Sequence, residues 1–214
     1  MTELTSVYPP FALTLATPRL VLRPLRDGDI PAAVEAAASG IHEQGRNPFG
    51  TPWAESPPDQ LGPTMGRWYW QRRANSTPES WSLILGIWHG ETFLGCQDVE
   101  ARDFSVRRTV NTGSWLRRTA HGRGFGKEMR AAVALYAFDW LKADVAESEA
   151  AEWNAASLGV SRSLGYELNG VTRMSWGGKQ ETVQRVRLTP ETLKRPDWQL
   201  KVEGHEPTAR FLGI

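Results

Sequence analysis

The stretch from Gly113 to Leu141, GSWLRRTAHGRGFGKEMRAAVALYAFDWL, constrains this chain most, because it encodes a short strand, a glycine-rich turn and a long helix without interruption. Met129, Ala132, Val133, Tyr136, Ala137, Trp140 and Leu141 recur at the three-and-four spacing of an apolar helical face, so the helix must begin at the glycines. Gly122, Gly124 and Gly126 alternate with Arg123 and Phe125, leaving successive backbone N–H groups without bulky neighbours. Amides of this kind at a helix N-terminus converge on an anion, and the helix dipole, Arg123 and Lys127 add positive potential. The pattern reads as a pyrophosphate cradle, against the plainer reading of a structural turn. Two familiar phosphate motifs fail on spacing. A P-loop needs four residues before its Gly-Lys pair and a Ser or Thr after it, whereas three residues separate Gly122 from Gly126 and Glu128 follows Lys127. The dinucleotide fingerprint needs a glycine where Lys127 stands.

A chain of 214 residues is long enough for one domain with a sizeable core. Its 25 basic and 24 acidic residues leave a net charge of +1, which points to neither nucleic acid nor a membrane surface. Cys96 is the only cysteine, so an internal disulfide framework and a cysteine-based zinc site are excluded, and a small buried side chain is its expected role. With no leader-like start and no apolar run of membrane-spanning length, a cytoplasmic protein is expected. Most of the ten tryptophans should be core, but Trp53, Trp68 and Trp70 lie in a polar, proline-rich region and are candidates to wall a substrate cleft.

In chain order, Arg19 to Leu25 alternates as a first strand, and Asp27 or Asp29 caps a helix that has Pro31 in its first turn. Gly40 to Pro63 reads as a long loop, after which a helix from Thr64 to Ala74 presents Met65, Trp68 and Tyr69 on one face and Arg67, Arg72 and Arg73 to solvent. Trp81–Trp88 and Glu91–Ala101 form a hairpin over His89-Gly90, and Thr109–Leu116 adds a third antiparallel strand. Beyond the long helix come a strand Asp144–Ala150, a helix Ala155–Leu164 closed by Gly165, and a hairpin of Thr172–Trp176 with Glu181–Leu188 over Gly177-Gly178.

Three segments together resemble the GNAT family of N-acetyltransferases. His121 to Gly126 is similar to its coenzyme A loop, which reads Gln or Arg, two residues, Gly, one residue, Gly or Ala; His121 departs from the opening position. TPRLVLRPLRDGD from Thr17 resembles the opening of the RimJ/RimL-like branch that acetylates ribosomal proteins, and NAASLGVSRSLGY from Asn154 matches the second signature of the family. The resemblance covers Thr17 to Leu188 as one acyl-CoA N-acyltransferase domain (17–188), with an N-terminal extension (1–16) and a C-terminal tail (189–214). It implies an α/β (α+β) fold in which a mixed, mostly antiparallel sheet splays at the acyl-CoA site between flanking helices. The implied reaction is acyl transfer from acyl-CoA to a primary amine by direct attack, with acetyl-CoA as donor and no metal.

The resemblance assigns cofactor contacts to Trp115, Leu116 and Arg117 on the strand, to His121, Gly122, Arg123, Gly124, Phe125, Gly126 and Lys127 in the loop, and to Asn154 and Ser157 at the second helix. Asn154 serves equally well as an ordinary helix cap. Many relatives place a proton-donating Tyr where this chain has Ser161, so Ser157 or Ser161 is left to assist the departing thiolate. Tyr166 reads as packing. For the base that takes the amine proton, Glu100 and Asp98 share a strand face next to the CoA strand, with His42 and Glu43 ranked second. The run DVEARDFSVRRTVNTGSWL also resembles a subgroup of the family some members of which accept succinyl-CoA, an alternative donor that a basic residue such as Arg67, Arg72 or Arg107 near the thioester would favour. A non-catalytic acyl-CoA-binding module and an unrelated nucleotide-phosphate protein are the other readings. The amine acceptor is a protein N-terminus or a small molecule, and the strand edges and apolar tail fit a homodimer.

Overall fold

The computed structural model describes residues 2–43, 47–176 and 179–214. Helices are α1 (Leu4–Val7), α2 (Ile30–Ala38), α3 (Pro58–Ala74), α4 (Phe104–Arg107), α5 (Phe125–Leu135), α6 (Ala155–Leu164) and α7 (His205–Phe211). Strands are β1 (Thr14–Ala16), β2 (Val21–Pro24), β3 (Ser80–His89), β4 (Thr92–Arg102), β5 (Thr109–Leu116), β6 (Val145–Ala151), β7 (Glu167–Trp176), β8 (Lys179–Leu188) and β9 (Lys201–Glu203). They form one sheet in the order β7-β8-β6-β5-β4-β3-β2-β1-β9. β5 and β6 run parallel, and every other neighbouring pair is antiparallel.

That parallel pair sets the site. β5 and β6 are in register from Thr109 opposite Val145 to Thr112 opposite Ser148 and no further. β4 then carries β5 on to Leu116, while β8 holds β6 as far as Ala151. The two strands therefore part into a V whose vertex lies at Thr112 and Ser148. Alternation along β4 supplies one core on each face of the sheet. Val99 and Ala101 join the cluster of α5, α6 and α7, whereas Cys96 joins that of α2 and α3.

Several boundaries differ from those the sequence suggests. α3 starts at Pro58, not Thr64, because Pro58 opens it and Pro63 is accommodated on its exposed side. Its buried face is Leu61, Met65 and Tyr69, which turns Trp68 out to 43% exposure. Asp29 caps the 3-10 turn Asp27–Asp29 through the Arg26 N–H at 2.8 Å and makes no side-chain cap to α2. The apolar face of α5 continues through a π turn, Tyr136–Trp140, which re-phases the helix, buries Phe138 and leaves Trp140 partly exposed. Residues after Thr189 return to the sheet, where β9 pairs with β1. The Gly177-Gly178 turn lies outside the described residues.

Candidate active site

A cleft of about 1160 Å³ runs through the V, from the glycine loop on the α5–α6 face to β4 on the α2–α3 face. Gly122 and Gly124 adopt left-handed φ of +70° and +81°, and Gly124 caps the N-terminus of α5. A side chain at Gly122 would meet nothing within 4 Å, so the demand there is on backbone conformation, and the loop presents bare amides to the cleft. Gly122, Gly124, Gly126 and Lys127 line it. Arg123 and Phe125 do not: Phe125 is buried in the core, with the Arg123 guanidinium 5.0 Å above its ring. His121 donates from Nε2 to the Leu116 carbonyl at 2.9 Å, which ties the loop back to the end of β5.

The open strand edges are defined by the ladder. Arg117 N–H bonds the Leu94 carbonyl at 2.8 Å, so by antiparallel alternation Trp115 and Gly113 also face β4, and the backbone groups of Ser114 and Leu116 turn into the V. On the other arm, Glu152 N–H bonds Thr182 O at 2.9 Å, which directs the backbone of Glu149 and Ala151 inward. An unpaired backbone group costs about 1–3 kcal/mol when no water or ligand supplies a partner. The V is thus shaped for an extended, amide-bearing chain. Trp115, Leu116, Asn154 and Ser157 line it, and Arg117 does not. Asn154 Oδ1 accepts the Ser157 N–H at 3.1 Å as the cap of α6. That leaves the Asn154 NH2 group without a protein partner among the described residues.

Ser161 is buried and outside the cleft, its hydroxyl accepting from Arg130 Nη1 at 2.7 Å and donating to Ser157 O at 3.1 Å. Arg130 itself lines the cleft at 6% exposure. Its other contacts are Ser157 O and Oγ, each at 3.4 Å, and burial holds its guanidinium below the usual range. Tyr166 is core and outside the lining.

Across the sheet, Asp98 and Glu100 do share a face, and both line the cleft. Glu100 forms an ion pair with Arg72 of α3, so Arg72 is no solvated residue. Asp98 packs against Gly113, where a Cβ would approach Oδ1 to 2.9 Å. Burial raises its carboxyl above the usual range, opposed by its own N–H, by Arg72 and by the Gly113 N–H. His42, Glu43, Phe49 and Trp115 complete this end as part of the lining, and Trp53, outside the lining, packs on both rings of the aromatic wall with centroids 5.0 Å from Phe49 and 5.7 Å from Trp115. Trp68 and Trp70 are exposed on α3 away from the cleft. Arg67, Arg72 and Arg107 do not line it, whereas Arg130 and Arg185 do. Cys96 is buried, with its thiol pushed up to about 12.

The family model for the acetyltransferase (GNAT) domain matches residues 19–167. The chain belongs to the GNAT acetyltransferase family. It is an acyl-CoA-dependent N-acyltransferase. Similar solved structures include Mycobacterium smegmatis RimJ in complex with a CoA disulfide, at 16% identity and TM-score 0.67, covering 94% of each chain. RimL, a ribosomal α-N-protein acetyltransferase in complex with coenzyme A, aligns at 13% identity and TM-score 0.62 over 81% of this chain and 95% of its own. A chimaera of the Vibrio cholerae spermidine N-acetyltransferase gives 14% and 0.63 over 80% and 95%. The family excludes the nucleotide-phosphate reading.

Within this GNAT fold the brace behind the loop was missed in the sequence. Glu128, at 8% exposure, accepts from Thr17 Oγ1 at 2.6 Å, Arg19 N at 3.1 Å and Arg19 Nε at 2.6 Å. Arg19 also reaches the Arg123 carbonyl at 3.1 Å and stacks 4.6 Å above Phe125. The TPRL opening thus holds the loop shut. Glu128 sits among apolar positions of the helix pattern, and an acid at that place was the available signal.

Proposed function

We propose that this enzyme transfers acetyl from acetyl-CoA to a primary amine in a ternary complex, the donor entering from the α5–α6 face and the acceptor from the α2–α3 face. The observation that carries the reading is the meeting of both halves at Gly113: the open backbone of β5 on one side, the Asp98 carboxyl on the other. Lys127 and the loop amides hold the pyrophosphate, while Ser114, Leu116 and the Asn154 NH2 group bond the pantetheine arm. A β5 N–H polarises the thioester carbonyl as negative charge develops on it. Asp98 takes the amine proton in preference to Glu100, because a raised carboxyl is the stronger base and Glu100 is held by Arg72. His42 and Glu43 remain second, and Ser157 supports the thioester end. The acceptor, a protein N-terminus or a small molecule, binds within the aromatic wall. The protein works in the cytoplasm, as a homodimer through its sheet edges.

The test is thiol release from acetyl-CoA with a panel of amines, products identified by mass spectrometry, beside sedimentation for the dimer. Acyl-CoA binding without release on any amine would overturn the catalytic reading. Faster release from succinyl-CoA would replace the donor.

A further inference from the structure

Arg130 is a buried cation without an acid. No carboxylate pairs with it among the described residues, its Nε has no hydrogen-bond partner, and its remaining contacts are neutral groups of Ser157 and Ser161. Removing a guanidinium from water is costly unless a charge or strong acceptor compensates it. The side chain nevertheless lines the cleft between the glycine loop and the vertex of the V, beside the path read above for the pantetheine arm. Ser161 is too short to reach the cleft past it. The guanidinium stands 2.7 Å from the Ser161 hydroxyl, so a longer side chain at 161 would compete with it for the same volume.

We propose that Arg130 is a catalytic residue whose missing counter-charge is the coenzyme A thiolate released during transfer. The inference rests on the acyl-CoA reading of the cleft. As the amine nitrogen bonds to the thioester carbon, the C–S bond breaks and its electron pair stays on sulfur. The thiolate forms beside the guanidinium and the Ser157 hydroxyl. The amine proton leaves through the base to water, and the thiolate later takes a proton from water. Arg130 thus stabilises charge present only late in the reaction, without itself giving up a proton. Other ionisable groups lining this space are His121 and Lys127 from the loop, Asp98 and Glu100 from β4, Glu147 and Glu149 from β6, Arg185 from β8, and His42 and Glu43 at the far end, while Tyr166 lies beside Arg130 outside the lining. The acids among them oppose a thiolate, so a lowered thiol pKa has to come from the cations.

The direct readout is the titration of the thiol of bound coenzyme A, followed by thiolate ultraviolet absorbance. In the wild type it should ionise at lower pH than free coenzyme A. Arg130→Met should return it to the free value and lower kcat about 100-fold, with little change in coenzyme A affinity at pH below the thiol pKa. Arg130→Lys should restore part of both effects, and Arg130→Ala with Ser161→Tyr should recover part of kcat by supplying a proton donor in the vacated volume. Circular dichroism melts show which variants fold, and Ser157→Ala, which keeps the charge, covers the case in which Arg130 variants do not: its bound thiol should still ionise early. An unshifted thiol in the wild type overturns the proposal, as does loss of succinyl-CoA binding alone in Arg130→Met. Failure of the wild type to bind coenzyme A would instead overturn the reading of the cleft.

Discussion

The two faces of the V solve different problems. On the α5–α6 side the cleft is lined by backbone: left-handed glycines, a helix N-terminus and the open edges of β5 and β6. These elements are set mainly by local rules, with one distant brace, Thr17 and Arg19 on Glu128 and on the Arg123 carbonyl. On the α2–α3 side the cleft is made by side chains of β4 and of residues 41–43 and 48–50, with Glu100 held from α3 by Arg72, 28 positions earlier in the sequence. The first face is generic, suited to one donor. On the proposed mechanism the second carries the choice of acceptor and the proton chemistry. Donor binding and turnover should therefore be separable by substitution.

Gly124→Asp should have the largest effect. Gly124 sits at φ +81°, a Cβ would approach Arg19 Nη2 to 3.2 Å, and a carboxylate there would oppose an anion at the same helix end. Acyl-CoA affinity measured by calorimetry should fall by at least about 100-fold, while a thermal melt stays within a few degrees. Retained affinity would mean that the glycine loop does not hold the pyrophosphate.

Asp98→Asn should do the reverse, lowering kcat about 100-fold with acyl-CoA affinity unchanged. Because the base form is needed, wild-type kcat/KM should climb with pH through an Asp98 value above the ordinary carboxylate range, and the variant should lose that limb. The stability sign is opposite to that of a salt-bridged acid. With its folded value raised, Asp98 costs stability once pH exceeds its unfolded value, so Asp98→Asn should melt no lower than wild type at neutral pH. A pH profile unchanged in the variant would move the base to Glu100 or His42.

The generic face was also the legible one. β5 and α6 were read with their observed bounds, Thr109–Leu116 and Ala155–Leu164, because strand alternation, an Asn cap and a left-handed Gly165 at φ +96° are all local signals. The glycine turn at the start of α5 was legible by its spacing. What was not legible depended on tertiary placement: Arg123 reads as a phosphate ligand but serves the loop through its carbonyl, and Arg130 reads as one more helix charge until the structure buries it. Pro63 hid the first turn of α3, since an interior proline argues against a helix unless its side is exposed. The three residues of β9 are too few to show a period.

Glu128→Gln sharpens the donor side from behind. It keeps an acceptor for Thr17 and for the Arg19 N–H but removes the charge that holds the guanidinium. Glu128 is buried, yet Arg19 is 44% exposed, so the ion pair itself is discounted for solvent screening. A loss of about 1–2 kcal/mol in stability and about 10-fold in acyl-CoA affinity is expected, with kcat at saturation unchanged. A fall in kcat with affinity intact would mean that the brace shapes chemistry, not phosphate binding.

His121→Ala should have the smallest effect, and it decides how much of the loop is backbone alone. Among the described residues the imidazole makes one hydrogen bond, from Nε2 to Leu116 O. That carbonyl belongs to the open edge of β5, so the histidine both closes the loop and uses up an acceptor that would otherwise face the cleft. Losing a neutral hydrogen bond at an exposed position is worth about 1 kcal/mol, or roughly five-fold in affinity. His121→Gln should recover most of it, because its amide N–H can reach the same carbonyl. A loss of about 100-fold in His121→Ala would require the ring to touch the phosphate directly. No loss in either variant would leave the Thr17–Arg19–Glu128 brace as the device that sets the loop, and would make the donor face depend on the far end of the chain after all.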